Sequence, residues 1–380
     1  MRLLHTTSLL FEEFFDSDTP PYAILSHRWE GKEVAFHEFE AAKERDGPEF
    51  SKIKNFCSFV SRQPGPYVHA KPEWVWVDTC CIDKKSSAEL SEAINSMFQW
   101  YKRASVCYAY LSSVNARPGK VQEQQFRESP WFTRGWTLQE LIAPREVYFL
   151  DRQWNILGER TELAAQISAI TGVEEDYLRK QEPVGRRKSP AKASIATRMS
   201  WVSKRMTSRR EDMAYCLLGI FDINMPLLYG EGEKAFMRLQ LEIIRNSDDE
   251  SVFAWTVPSD MRHYRIEGML APWPTWFASC GDIREDTSTR PPYSMTNKGL
   301  EFRIPAYSSP QESITVPLNC RKFDGVNLGV TIKLHNLYYN VGHRYSSTGA
   351  EFEKYTRSVK QDENTHVIYI PQGKWRFHTT

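Results

Sequence analysis

Along the first 150 residues the hydrophobic pattern alternates between two periods. Short apolar runs at 22–25, 73–78, 105–111 and 146–150 read as strands. In the second run Val75 and Val77 alternate with Trp74 and Trp76, so both faces are apolar, as in a sheet covered on both sides. Segments of helical period lie between the runs. Ile53, Phe56 and Val60 mark one over 49–65, stopped by Pro64-Gly65. Leu90, Ala93, Ile94, Met97, Phe98 and Tyr101 mark a second, and Ser86 with Glu89 has capping-box spacing at its start. The stretch WFTRGWTLQELIA over 131–143 predicts a third helix, ended by Pro144. The segment 115–129 is polar and reads as a connection. Strand and helix in alternation predict a parallel sheet with right-handed crossovers.

Beyond about residue 160 the pattern turns helical, with helices expected at 193–205, 209–220 and 231–246. Ser208 and Glu211 have the spacing of another capping box. The tract 178–194 holds six Lys/Arg and two Pro and reads as an exposed loop. After about residue 250, period two returns in GLEFRIPAY, ESITVPLN, LGVTIKLHNLYYNV and THVIYIP, separated by turn clusters. The expected organisation is an α/β core over 1–155, a helical extension over 156–255 and a β-rich C-terminal domain over 256–380.

Composition narrows the function classes. The chain of 380 residues has a net charge of +1, so no whole-chain field draws it to nucleic acid or an anionic membrane, and no nucleic-acid partner is expected. The seven Cys show neither disulfide-scaffold nor zinc spacing, which points to a reducing compartment and to no metal. The N-terminal stretch lacks a signal-peptide pattern, and no 18-residue apolar run occurs, so a cytoplasmic protein without a membrane span is expected. Twelve Trp are many, and indoles both fill cores and build stacking pockets.

Four clusters fall at or just beyond strand carboxyl ends: Ser26-His27-Arg28-Trp29, the stretch 78–83, the loop after Leu111, and 131–140. In an open parallel sheet, ligands bind beyond those ends. Trp136 and Glu140 are one helical turn apart, and a carboxylate against an indole is desolvated, which raises its pKa. Each residue also has a bland reading. Trp136 can be core, with Glu140 paired to Arg134 or Arg145. Asp78 and Asp83 can close turns, His27 can be a satisfied loop histidine rather than a base, and Arg28 can be a solvated charge rather than a phosphate clamp. Trp131 and Arg134 complete the candidate binding set. No neighbouring signal supports Cys80 or Cys81 as a nucleophile.

The blocks YAILSHRWE, VWVDTCCIDK with AINSMFQWYKRASVCYAYL, and SPWFTRGWTLQELIAP resemble the successive signature blocks of the fungal heterokaryon-incompatibility (HET) domain. RMSWVSKRMTSRREDMAYCLLGIFDINMPLLYGEGEKAFMRLQLEII resembles the segment that often follows them. Together they cover about 20–255. The resemblance implies non-self recognition and regulated cell death. The order strand-S-x-R, strand-D, helix, strand, W-x-L-x-E-L is also similar to the TIR domain, which implies a TIR-like (flavodoxin-like) parallel sheet. In that family the glutamate of the last block cleaves NAD, and here Trp136, Leu138, Glu140 and Leu141 match that block. Glu140 is therefore the expected catalytic group of an NAD glycohydrolase, with NAD as substrate and no cofactor. Ser26, His27, Arg28, Trp29, Asp78, Asp83, Trp131, Arg134 and Trp136 would bind substrate. The resemblance further implies self-association and an NLR-type or other incompatibility partner protein, any nucleotide-sensing module lying on another chain. The alternative is a non-enzymatic TIR-like signalling and assembly module.

Overall fold

A computed structural model describes every residue except 43, 46, 63–71, 116–119, 181–186, 260–268, 287–290, 298, 306–312, 324–326, 335–344, 348–364 and 371–380. Strands are β1 (Arg2–His5), β2 (Phe11–Glu13), β3 (Tyr22–His27), β4 (Trp74–Trp76), β5 (Val106–Tyr110), β6 (Val147–Leu150) and β7 (Ile156–Glu159). Helices over the same stretch are α1 (Phe36–Ala41), α2 (Ser51–Arg62), α3 (Ser87–Arg103), α4 (Lys120–Arg127), α5 (Thr137–Ile142) and α6 (Ala164–Thr171). Then follow α7 (Ile195–Val202), α8 (Asp212–Tyr215), α9 (Leu218–Phe221) and α10 (Lys234–Asn246). The remaining strands are β8 (Ile283–Glu285), β9 (Ser294–Thr296), β10 (Gly299–Pro305), β11 (Ser313–Lys322), β12 (Asn327–Leu334), β13 (Tyr345–Ser347) and β14 (Thr365–Ile370).

The chain divides into two compact units. The first comprises 1–188, 205–208 and 215–227; the second comprises 189–204, 209–214 and 228–380.

The first unit is an α/β layer structure on a seven-stranded sheet of order β2-β1-β4-β3-β5-β6-β7. The expected parallel sheet is in fact mixed. The four central strands β4-β3-β5-β6 are parallel, while β1, β2 and β7 are antiparallel at the two edges. The central strands carry the continuous apolar runs, because they are covered on both faces: all of β3 and β6 is buried. The edge strands are three or four residues long and too short to show a period. From β3 the chain passes to β4 on one side and returns to β5 on the other, so β3 lies at the switch point of the parallel set.

Helix α3 matches its predicted period. Ser86 caps it by accepting the Glu89 amide, and Ala93, Ile94, Met97 and Tyr101 form its buried face. Two expectations fail nearby. The polar connection at 115–129 contains α4. The helix expected over 131–143 begins only at Thr137, after a separate 3-10 turn at Pro130–Thr133. Tertiary hydrogen bonds explain this break. The Met206 amide donates to Thr133 O at 2.7 Å, and the Gly135 amide donates to Met206 O at 2.9 Å. Those main-chain groups are thereby committed elsewhere. A Cβ at Gly135 would lie 2.6 Å from the Thr207 methyl, so this approach requires glycine. Pro64-Gly65 lies outside the described residues, as does 181–186 of the basic tract.

In the second unit α7 and α10 fall within the predicted segments, while the helix expected over 209–220 is replaced by two single turns, α8 and α9, of which α9 belongs to the first unit. Glu211 does not cap a helix with Ser208. Its carboxylate accepts the amides of Gly230 and Gly232 at 2.8 and 2.9 Å. Buried Gln240 is satisfied by Ala271, donating to its carbonyl and accepting its amide, both at 2.9 Å. The C-terminal strands form a three-stranded sheet, β14-β10-β9, and a four-stranded sheet, β13-β12-β11-β8, both antiparallel.

Candidate functional site

Strand β3 ends in two buried polar residues, Ser26 and His27, where its sequence leaves the apolar run. Pairing with β5 continues to His27, which fixes both side chains at the carboxyl edge of the sheet. Helix α5 brings Glu140 to the same edge. The Ser26 hydroxyl donates to Glu140 Oε2, and the Trp131 indole N–H donates to Ser26 Oγ at 2.8 Å. Tyr101 from α3 donates its hydroxyl to Leu25 O at 3.2 Å and lies beside the same carboxyl.

Glu140 is buried, 7% exposed as a residue, and so is desolvated. Burial pushes its pKa up to about 8; the nearby Asp78 charge adds to the rise, while Ser26, Arg134 and Tyr101 oppose it. Burial outweighs the Ser26 bond, which favours the ionised form, and holds the carboxyl neutral well above the ordinary carboxylate range. Among the described residues no cationic side chain lies within ion-pair distance of it, which removes the pairing with Arg134 or Arg145.

A second group adjoins the first. The Trp29 indole N–H donates to Asp78 Oδ2 at 2.8 Å, and Asp78 follows β4. His27 sits between two carboxylates, with Nδ1 3.7 Å from Asp78 Oδ1 and Nε2 3.8 Å from Glu33 Oε2. These are ion-pair distances, too long for hydrogen bonds. Both imidazole nitrogens and Asp78 Oδ1 are buried without a hydrogen-bond partner among the described residues. Burial alone would raise Glu33, but Lys52 at 2.5 Å and the neighbouring His27 hold it at about 2. Trp29 is 39% exposed, with Lys84 Nζ 3.6 Å and the Arg134 guanidinium 5.7 Å from its ring centroid.

Of the ten residues singled out by sequence, Ser26, His27, Trp29, Asp78, Trp131, Arg134 and Glu140 thus gather at one edge. Three do not share these contacts. Arg28 is exposed. Asp83 turns away, accepting the Lys85 amide at 2.9 Å and lying 3.0 Å from His37 Nε2. Trp136 is the half-buried residue preceding α5, and the indole joined to Glu140 through a hydroxyl is that of Trp131 instead. Trp136 keeps helical backbone angles, φ −59° and ψ −35°, and so remains one turn before Glu140.

The sequence model described as "Heterokaryon incompatibility protein (HET)" matches residues 22–125. This chain carries a HET domain. The matched stretch holds β3, β4 and β5, and with them Ser26, His27, Trp29 and Asp78; it ends before the 131–140 block. "Vegetative incompatibility protein HET-E-1" of Podospora anserina is 42% identical over 252 residues, 64% of this chain. The chain spans 17% of that relative's length. No solved structure matches it.

Two arginines that steady the HET-domain site carry no sequence signal. Arg160, fully buried at the end of β7, donates to the carbonyls of Leu141, Pro144, Arg145 and Leu178 at 2.7–3.2 Å. It therefore satisfies the carboxyl end of the helix that carries Glu140. Arg205 holds the other end, donating to Arg134 O and Thr137 Oγ1, each at 2.9 Å. Arg160 lies outside the signature blocks, while Arg205 and Lys84 lie within them, but no spacing singles out any of the three. Among the described residues no group of His, Cys, Asp and Glu forms a metal site, and no helix is long and apolar enough to cross a membrane.

Proposed function

We propose that this HET-domain chain acts in heterokaryon incompatibility, the role that the name of its Podospora relative carries, and that it does so by hydrolysing NAD at Glu140. One observation carries the reading: a buried carboxyl with a raised pKa, bonded to Ser26 at the switch point of the parallel strands, beside an exposed indole and unneutralised cations. The strand order of the parallel set and the W-x-L-x-E-L block support a TIR-like assignment of the first unit.

The chemistry follows from the charge of the substrate. NAD brings a positively charged nicotinamide ring, whose field favours the ionised form of Glu140. The bond between ribose C1′ and the nicotinamide nitrogen breaks heterolytically. Its electron pair goes to nitrogen, so nicotinamide leaves neutral and needs no general acid. The ribose is left as an oxocarbenium-like cation, which the Glu140 carboxylate stabilises. Water then adds at C1′ and releases a proton, giving ADP-ribose. Ser26, pinned by Trp131, keeps the carboxyl oriented.

The test is nicotinamide release from NAD across a range of protein concentrations, since self-association is expected to activate the domain. Glu140→Gln should lower turnover by about a thousandfold or more, on the scale of losing a principal electrostatic group. Turnover that persists in Glu140→Gln contradicts the assignment. Self-association without turnover supports the other reading, a non-enzymatic assembly module in which the Ser26–Glu140 bond is only structural.

A further inference from the structure

Three features around Trp29 lack an explanation in the cleavage chemistry. Its ring is exposed, yet its N–H is fixed by Asp78, so the indole is held in place without being used as core. Two cations, Lys84 and Arg134, lie against this one ring, and among the described residues neither makes an ion pair. Behind the ring, buried His27 has both nitrogens without hydrogen-bond partners.

Lys84 is exposed as a residue, but its ammonium rests on the indole and is desolvated there. That desolvation, with Arg134 as a neighbouring like charge, holds its pKa below the ordinary value, although Asp78 and Glu33 oppose the drop. Two like charges kept close, neither in ion-pair contact with a carboxylate among the described residues, favour an anion that binds both. Arg134 supplies a planar fork suited to phosphoryl oxygens, and Lys84 supplies a point charge. Arg134 is also held rigidly at its main chain, where its carbonyl accepts from Arg205 and from Thr137 Oγ1.

We propose that Lys84 and Arg134, mounted on the Asp78-anchored ring of Trp29, form the subsite for the diphosphate of the substrate, so that the Glu140 centre selects dinucleotides over unphosphorylated nucleosides. This rests on reading the Glu140 centre as a nucleotide site. Trp29 offers a face for a base or ribose, and the two cations fix the diphosphate at a set distance from the reacting ribose. His27, buried behind Asp78, positions the anchor rather than touching the substrate.

Calorimetric titration of the full chain with ADP-ribose, inorganic pyrophosphate and nicotinamide riboside tests this. Wild type should bind ADP-ribose, with pyrophosphate competing for the same place, and both should weaken as salt is raised. Lys84→Ala and Arg134→Ala should each weaken ADP-ribose about tenfold, and the pair about a hundredfold, one charge-assisted contact being lost per substitution. Nicotinamide riboside should bind the variants as it binds wild type. Arg134→Lys should recover part of the loss, which shows that charge rather than a folding defect is responsible. ADP-ribose binding that is equal in wild type and the double variant, or pyrophosphate that fails to bind or compete, overturns the proposal. The cleavage reading fails separately: NAD bound through both cations but never cleaved leaves the subsite standing. NAD cleaved with an unchanged KM in the double variant removes the subsite and leaves Glu140.

Discussion

Helix α5 runs between two buried ionisable groups that are treated in opposite ways. At its carboxyl end Arg160 is surrounded by four main-chain carbonyls within hydrogen-bond distance. Its charge is completely buried, yet it is matched by dipoles and does the work of a helix cap. On the helix itself Glu140 is offered hydroxyls, the repulsive charge of Asp78 and, among the described residues, no ion pair, only the more distant charge of Arg134. Beside it the ring nitrogens of His27 and one oxygen of Asp78 are left without hydrogen bonds. A buried charge serving architecture collects a full set of partners. A buried group kept short of partners is where the proposed reading places a ligand that is not part of the chain.

The largest effect expected from breaking this contrast is at Arg160. Arg160→Met removes the donor to four buried carbonyls and should cost about 3 kcal/mol or more, read as a fall in the urea midpoint. A loss well under 1 kcal/mol would mean that the carbonyls find other donors.

Glu140→Gln should act in the opposite direction on stability. The folded-state pKa of Glu140, about 8, lies above its ordinary value. The neutral group is therefore fully accommodated at low pH, and stability is lost as pH rises from the unfolded carboxylate range through about 8. Glutamine has no charge to bury, so above pH 8 the variant should be more stable than wild type, by roughly 2–4 kcal/mol. Unfolding curves at pH 4 and pH 9 measure it: the gap between the two proteins should be near zero at the lower pH and open progressively to its largest value at the higher.

Ser26→Ala is a smaller perturbation. It leaves the buried Trp131 N–H without its acceptor, at a cost of about 1–2 kcal/mol. It also removes a hydrogen bond that favours the ionised carboxyl, so the Glu140 titration should move to still higher pH. Smallest of all, Trp131→Phe should keep most of the packing against Phe132 and Phe149 and cost about 1 kcal/mol. A pH profile unchanged in Ser26→Ala would separate the serine from the carboxyl.

The legible parts of the fold were those written in a period. The runs of β3, β5 and β6 and the stripe of α3 carry their burial in their own sequence. The edge strands β1, β2 and β7 do not, because three or four residues at a sheet edge show no alternation to read. The late start of α5 was hidden for a different reason. It depends on Met206, about seventy residues onward, whose main chain engages Thr133 and Gly135. At the site, Ser26 and His27 stood out because they interrupt an apolar strand. Glu140 stood out through its one-turn spacing from Trp136, and its catalytic role only through a resemblance. Trp131, the indole that reaches the carboxyl through Ser26, sits on the preceding 3-10 turn, where no helical spacing to Glu140 could mark it. Arg160, Arg205 and Lys84 fall at no spacing that marks them, although the latter two lie within signature blocks, and only the folded chain reveals what they hold.

The most direct measurement is a titration of the Glu140 side-chain carboxyl carbon by NMR in the full-length chain, with Glu140→Gln identifying the signal. The predicted result is a midpoint near 8 that falls when a cationic nucleotide is bound. A midpoint in the ordinary carboxylate range, near 4.5, would contradict it: Glu140 would then be an ionised surface-like group, and the contrast with Arg160 would vanish.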